Sequence, residues 1–260
     1  MIRDIEIAGW ISPDALDARD RPLLVRGGAR NLRALARWSP AYLAERLGDV
    51  ELAFKQSANG KHPNFHAATL PEQFARGRAK ARELLASIGD GPHRLFTGDE
   101  EPLVQRRAGV AHISSVLAPL LDDLVLPAEV AEDRLYTIWA WFSGPGVQTW
   151  LHYDNNGCHN LNAQITGEKS CLLFAPDQLA RLEPFALGGG NPAHNCFRTD
   201  VFDADLSGVP RILARLVPGD LLFIPAWWLH AFDHVGAFNA NVNWWWKPAR
   251  PIDCAPARRH

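Results

Sequence analysis

A chain of 260 residues, 47% of them hydrophobic, can bury about 70–75% of the surface its unfolded form exposes, enough for one sizeable core. Its formal charge of −2 supplies no basic field, so a peptide, protein or small-molecule substrate is expected and a nucleic acid is not. The cysteines Cys158, Cys171, Cys196 and Cys254 show no C-x-x-C spacing and read as reduced thiols; acids interrupt the N-terminal Met-Ile-Arg-Asp-Ile-Glu-Ile, and no apolar run approaches a span of ~20 residues, so a cytoplasmic protein with no membrane partner is expected.

In chain order, Pro22-Leu-Leu-Val-Arg26 reads as extended, Ser39 to Leu47 as a helix opened by a Ser cap, and Val50 to Phe54 as extended again. The longest predicted helix runs from Pro71 to Ile88, with Thr69 as cap and Gly89 past its end. A second covers Ser114 to Leu124. From Leu135 the texture changes to short apolar or alternating runs bounded by Gly, Pro, Asn and Asp. The predicted strands are Leu135–Phe142, Thr149–Asp154, Leu161–Thr166, Lys169–Phe174, Ile212–Val217, Leu221–Ile224, His230–Val235 and Phe238–Trp245. About eight strands with turns between them predict a mainly β fold with N-terminal helices, a double-stranded β-helix or jelly roll of the cupin type. Residues 1–130 are expected to pack on a barrel formed by 131–260, as one structural domain.

The chemistry concentrates in Thr149-Trp-Leu-His-Tyr-Asp154 and, far downstream, Ile224-Pro-Ala-Trp-Trp-Leu-His230. Alternation on a strand puts His152 and Asp154 on one side. With His230 on a neighbouring strand they form a 2-His-1-carboxylate face that leaves about three positions open, the arrangement of non-haem Fe(II) oxygenases. The competing reading is an exposed strand with incidental polar residues. It is disfavoured because the ligands sit among Trp150, Leu151 and Tyr153, where a buried Asp154 needs a compensating cation. His159 and His234 each read as pointing into the cavity, or as supporting its wall from behind or facing solvent.

Downstream lies Asn160-Leu-Asn-Ala-Gln-Ile-Thr-Gly-Glu-Lys169, then Pro218-Gly-Asp-Leu-Leu-Phe-Ile-Pro225, then Val242-Asn-Trp-Trp-Trp-Lys247. In order and spacing these resemble the JmjC (cupin-like) 2-oxoglutarate oxygenases, particularly the asparaginyl hydroxylase that inhibits hypoxia-inducible factor and its bacterial relatives. The resemblance covers about Leu135 to Pro248. It implies that His152, Asp154 and His230 bind Fe(II), that Lys169 and Thr149 hold the distal carboxylate of 2-oxoglutarate, and that Asn160 and Asn243 line the same pocket. Thr149 and His152 then need a bend near Trp150 to share a face. It further implies a dioxygen-dependent hydroxylase of a C–H bond, of a protein or peptide side chain in the first place and of a small metabolite or modified nucleoside in the second. A non-catalytic ligand-binding cupin and a metal-dependent isomerase are the competing classes.

Two positions depart from the pattern. The segment from Asp154 to Asn160, with Gly157, Cys158 and His159, is two residues longer. Where the family enzyme has a tyrosine that also holds the distal carboxylate, Phe96 stands.

Overall fold

The computed structural model describes residues 2–62, 74–90, 93–96, 102–154, 157–185 and 195–252. The N-terminal strands are β1 (Ile2–Asp4), β2 (Glu6–Ala8), β3 (Leu23–Val25), β4 (Glu51–Ser57), β5 (Lys61–His62), β6 (Phe74–Lys80), β7 (His93–Phe96), β8 (Val104–Arg107) and β9 (Val110–Ile113). The barrel strands are β10 (Leu135–Ser143), β11 (Gln148–His152), β12 (His159–Phe174), β13 (Arg211–Leu216), β14 (Leu221–Ile224) and β15 (Leu229–Trp246).

Two long strands carry the architecture, each giving its halves to different sheets. The first half of β12 lies between β14 and the end of β15, with Leu161 opposite Phe223 and Trp244. Its second half lies between β13 and the start of β15, with Cys171 opposite Ala214 and Phe232. Strand β10 extends the first layer through Trp141 opposite Asn241, and β11 extends the second through His152 opposite His230. The result is a jelly roll, as the turn spacing predicts.

Alternation along these strands explains the polarity of the interior. In the first half of β12, Leu161, Ala163 and Ile165 join the large core that also holds Leu16, Trp38, Leu43 and Trp244. The opposite face, Asn160, Asn162 and Gln164, is buried inside the barrel. Register shifts at Gln164/Thr166 and Thr166/Glu168 then invert the parity, so that Lys169 turns inward beside the apolar interior group of Cys171 and Leu173. Strand β15 makes the same inversion: His230, Phe232 and His234 face the cavity from its first half, Asn241, Asn243 and Trp245 from its second. A third apolar cluster, with Leu151, Tyr153, Phe174, Leu182, Phe197 and Leu229, covers the outside of the second layer.

The N-terminal region is hydrogen-bonded into this framework. Strand β3 pairs with β14, and β4 reaches β10 through β7, with Phe96 opposite both Phe54 and Phe142. The Ser39 side chain accepts from the Tyr42 N–H at the start of the helix Pro40–Leu47, as its sequence predicts.

Two predicted helices and four predicted strands differ. Within the expected helix from Pro71 to Ile88, Phe74–Lys80 is a strand and only Ala81–Ala86 is helical. Thr69 and Pro71 lie outside the described residues. Arg76, Arg78 and Lys80 alternate at the strand period, and Gly77 is where the Phe54 ring crosses: a Cβ there would stand 2.6 Å from Phe54 Cζ. Ser114 to Leu124 contains a 3-10 helix, Ala118–Asp123, because the Ser114 hydroxyl accepts from the N–H groups of Val116 and Leu117 and closes a local turn first. The four short strands predicted over 161–174 and 230–245 merge into β12 and β15, which bend through bulges rather than break.

Candidate metal centre and its cavity

Strand β11 positions His152 by an irregularity. Thr149 pairs with Phe232 and His152 with His230, three residues against two. This bulge supplies the bend that sequence reasoning required, and Thr149 and His152 line the same cavity. Just past the strand end, the Tyr153 N–H donates to the Asn195 carbonyl at 3.1 Å and the Asn195 amide returns a bond to the Tyr153 carbonyl at 2.8 Å. That clamp fixes the backbone from which Asp154 projects.

The three side chains converge. Asp154 Oδ1 lies 4.0 Å from His152 Nε2 and 3.9 Å from His230 Nε2. One ligand atom from each residue fits within a 4.8 Å span. Each histidine spends its other nitrogen on the backbone: Nδ1 of His152 donates to the Trp150 carbonyl at 2.8 Å, and Nδ1 of His230 to the Trp228 carbonyl at 3.0 Å. Those bonds leave both Nε2 lone pairs facing inward. Burial, and then His230, pushes the His152 imidazole down to about 3, so it is neutral and able to coordinate.

Asp154 is divided in the same way. Its Oδ2 accepts from Asn160 Nδ2 at 2.9 Å and from the Trp245 indole N–H at 2.8 Å, while Oδ1 faces the histidines. Two imidazoles and one carboxylate with their remaining atoms occupied fit a first-row divalent ion with open positions.

The opposite end of the cavity carries a buried cationic side chain. Lys169 is 3% exposed, and its ammonium donates to the neutral Asn241 carbonyl oxygen beside the Phe232 ring. Burial lowers its pKa to about 7. On β15 between the strands that carry Lys169 and Thr149 lies His234, whose Nδ1 is 2.6 Å from Ser143 Oγ and whose Nε2 is 3.4 Å from Thr149 Oγ1.

All seven residues singled out from the sequence, His152, Asp154, His230, Lys169, Thr149, Asn160 and Asn243, line this one cavity of about 80 Å³. Asn239, Asn241 and Asn243, which alternate along β15, are all buried. Asn243 donates to Asn160 at 2.8 Å and accepts from Asn241 at 2.6 Å. Lys169 sits in a continuous strand and not at an exposed turn. His234 points into the cavity; His159 does not, and packs between Phe223 and Trp246. Sequence reasoning missed Lys55, His62, Trp141, Phe232 and Trp245. Only Trp245 carried a signal, the period-two continuation of Asn241 and Asn243. Phe96 is on β7, and its side chain lies outside the described residues.

Comparison with known proteins resolves the family, since the cupin-like domain matches residues 13–250. The chain belongs to the cupin-like domain family. Similar proteins include the tRNA wybutosine-synthesizing protein 5 of Danio rerio, 30% identical over 223 residues that cover 81% of this chain and 64% of that one. The human protein of that name is 30% identical over 227 residues, 84% of this chain and 69% of its own. The Arabidopsis thaliana lysine-specific demethylase JMJ31 is 26% identical over 261 residues, 87% of this chain and 46% of its own. The chain thus spans less than two thirds of the zebrafish relative. With relatives named for tRNA modification, the exclusion of nucleic acid drawn from net charge does not stand: a sum over the whole surface says nothing about one face. No described helix is long and apolar enough to cross a membrane.

Proposed function

We propose that this cupin-like protein is an Fe(II)- and 2-oxoglutarate-dependent oxygenase that hydroxylates a C–H bond. One observation carries the reading. A His-Asp-His set and a buried ammonium bonded only to an amide among its described partners face each other across one cavity. The first needs a cation and the second an anion, and a chelating dicarboxylate bridges them.

In this reading His152, Asp154 and His230 hold Fe(II), Lys169 and Thr149 hold the distal carboxylate, and Asn160 and Asn243 fix the inner wall. Bound Fe(II) and 2-oxoglutarate supply the oxidising chemistry: dioxygen gives one atom to succinate as CO2 leaves and the other to the substrate carbon as hydroxyl. The protein orients these groups and excludes water. Asn160 has a double task, donating to Asp154 Oδ2 and accepting from Asn243, so it couples the ligand to the amide wall. A ligand-binding cupin needs no buried lysine opposite its metal, and an isomerase needs no dioxygen.

Two substrate classes are supported by different observations. The resemblance to the asparaginyl hydroxylase and the similarity to a protein named as a lysine-specific demethylase favour a protein or peptide side chain. The relatives named for tRNA wybutosine synthesis favour a modified nucleoside. Trp141 of the cavity wall stacks with Trp139 at 6.0 Å between centroids and 20° between planes, a surface on which a flat base would lie. Succinate release tests the activity itself. Wild type is expected to convert 2-oxoglutarate to succinate with Fe(II) and dioxygen, faster with peptide pools or bulk tRNA according to class, and His152→Ala not at all. Conversion that is indifferent to dioxygen rules the reading out.

A further inference from the structure

His234 is a cavity residue to which the oxygenase reading gives no task. It is 5% exposed and sits on β15 directly opposite Lys169 of β12. On the other side of β15, Thr149 of β11 pairs with Phe232, and the His234 N–H donates to the Val147 carbonyl at 2.9 Å. Paired residues share a face of the sheet, and so do residues two apart on one strand. Lys169, His234 and Thr149 therefore present their side chains to one cavity from three adjacent strands.

What His234 offers that cavity follows from the hydrogen bond behind it. Its Nδ1 lies 2.6 Å from Ser143 Oγ, and among the described residues this nitrogen is the one partner of that buried hydroxyl. A buried hydroxyl that only accepted would leave its own hydrogen without an acceptor. Ser143 therefore donates to Nδ1. Burial, and then the Lys169 charge, hold the imidazole pKa well below its ordinary value, so the ring is neutral. A neutral ring that accepts at Nδ1 carries its proton on Nε2.

That Nε2–H faces Thr149 Oγ1 at 3.4 Å, longer than an ordinary N–H···O bond. It is a buried donor with a poorly matched acceptor. The Lys169 ammonium is placed alike, since its described hydrogen bond goes to a neutral amide oxygen. Thr149 adds a hydroxyl. Three donors thus converge, one charged and two neutral. The one carboxylate of the described lining, Asp154, faces His152 and His230 instead. An incoming carboxylate, with two oxygens and about four lone pairs, can use all three donors. The imidazole is not part of the family resemblance, whose pattern has a tyrosine in this role where Phe96 stands.

We propose that His234, held by Ser143 with its proton on Nε2, is a third donor to the distal carboxylate of 2-oxoglutarate and selects for a dicarboxylate at this end. This rests on the oxygenase reading and adds a residue that decides which keto acid is held. Ser143 is a positioning residue that acts through the imidazole.

The test separates the distal carboxylate from the rest of the cosubstrate. Wild type, His234→Leu, His234→Gln and Ser143→Ala, each as the full chain, are loaded anaerobically with Fe(II). Each is titrated with 2-oxoglutarate or with 2-oxopentanoate, which keeps the keto acid and the carbon chain but lacks the distal carboxylate, and the visible charge-transfer band reports both affinities. His234→Leu is expected to weaken 2-oxoglutarate about tenfold and to leave 2-oxopentanoate within about twofold. Where 2-oxopentanoate binds too weakly to form a band, an unchanged Co(II) affinity is the control. His234→Gln keeps a side-chain N–H and should recover most of the loss, and Ser143→Ala should show a smaller loss of the same kind. A Leu variant that weakens neither acid, or weakens the control as much as 2-oxoglutarate, overturns the subsite, as does a Gln variant no better than Leu. Should His234→Leu fail to fold, Ser143→Ala decides, and an unchanged preference for 2-oxoglutarate in it overturns the subsite. Nitrogen NMR of the metal-free protein needs no cosubstrate: a proton on His234 Nε2 is expected, and one on Nδ1 overturns the assignment. Wild type that forms no band with either acid refutes the oxygenase reading and the subsite with it, an outcome distinct from a band of equal strength in every variant.

Discussion

Trp245 donates its indole N–H to Asp154 Oδ2 at 2.8 Å, and this bond leaves the other oxygen of the carboxylate for a metal. The donor comes from the far end of β15, the strand whose near end supplies His230. One strand therefore provides both a ligand and the group that aims a second ligand.

Removing that donor should loosen the metal without unfolding the protein. Trp245→Phe keeps an aromatic ring, though a smaller one, and leaves Asn160 as the remaining partner of Oδ2. Fe(II) or Co(II) affinity, read by anaerobic titration, is expected to fall about tenfold, with unchanged circular dichroism. Equal affinity would mean that the indole only packs.

The proposed role of Lys169 predicts that cosubstrate binding is pH-dependent. Burial lowers its pKa to about 7 in the free protein, whereas the distal carboxylate binds the charged ammonium. Above pH 7 binding must take up a proton, so affinity weakens by up to about tenfold per pH unit. Calorimetry in buffers of different ionisation enthalpy should detect that proton between pH 7 and 9, and Lys169→Met should abolish the uptake.

His159 predicts a separate acid sensitivity. The Ala226 N–H donates to its Nδ1 at 3.2 Å, so the ring is neutral with its proton on Nε2. Burial lowers its pKa from 6.5 to about 4. The unfolded chain binds a proton below pH 6.5 that the native ring refuses, so stability is full above 6.5 and falls as pH drops toward 4. His159→Gln keeps an acceptor and cannot titrate. Between pH 6.5 and 4.5 wild type should lose on the order of 1–2 kcal/mol more than this variant in urea unfolding.

The bulge that turns Lys169 inward depends on Gly167. Its φ is +72°, and a Cβ there would stand 2.4 Å from the Phe238 carbonyl oxygen. Gly167→Ala is expected to cost more than about 2 kcal/mol and to weaken 2-oxoglutarate binding with it. A variant of wild-type stability and affinity would show that the strand crossing tolerates a side chain.

How much of this was legible in the sequence follows from where the periodicities hold. His152, Asp154 and His230 are readable because polar ligands stand out in apolar strands. The jelly roll is readable from turn spacing. Lys169 is not readable by alternation, because β12 inverts its parity between Gln164 and Glu168, and only the family pattern placed it. The Asn239 to Asn243 stripe resembles an exposed strand, since the barrel interior is polar and its outer face apolar. Lys55 was invisible: a lysine in a short alternating run looks like surface until β7 ties that strand to β10. The expected helix from Pro71 failed over 74–80 because pairing with β4 outweighed helix propensity around Gly77.

The central claim is that one cavity holds Fe(II) and 2-oxoglutarate together. Anaerobic titration of the metal-free protein with Fe(II), then 2-oxoglutarate, measures this directly through the visible band of keto-acid chelation. The account predicts a saturable band in wild type that His152→Ala and Asp154→Asn abolish. Wild-type protein that binds Fe(II) yet shows no band at millimolar 2-oxoglutarate would contradict it and leave a metal-binding cupin of another activity.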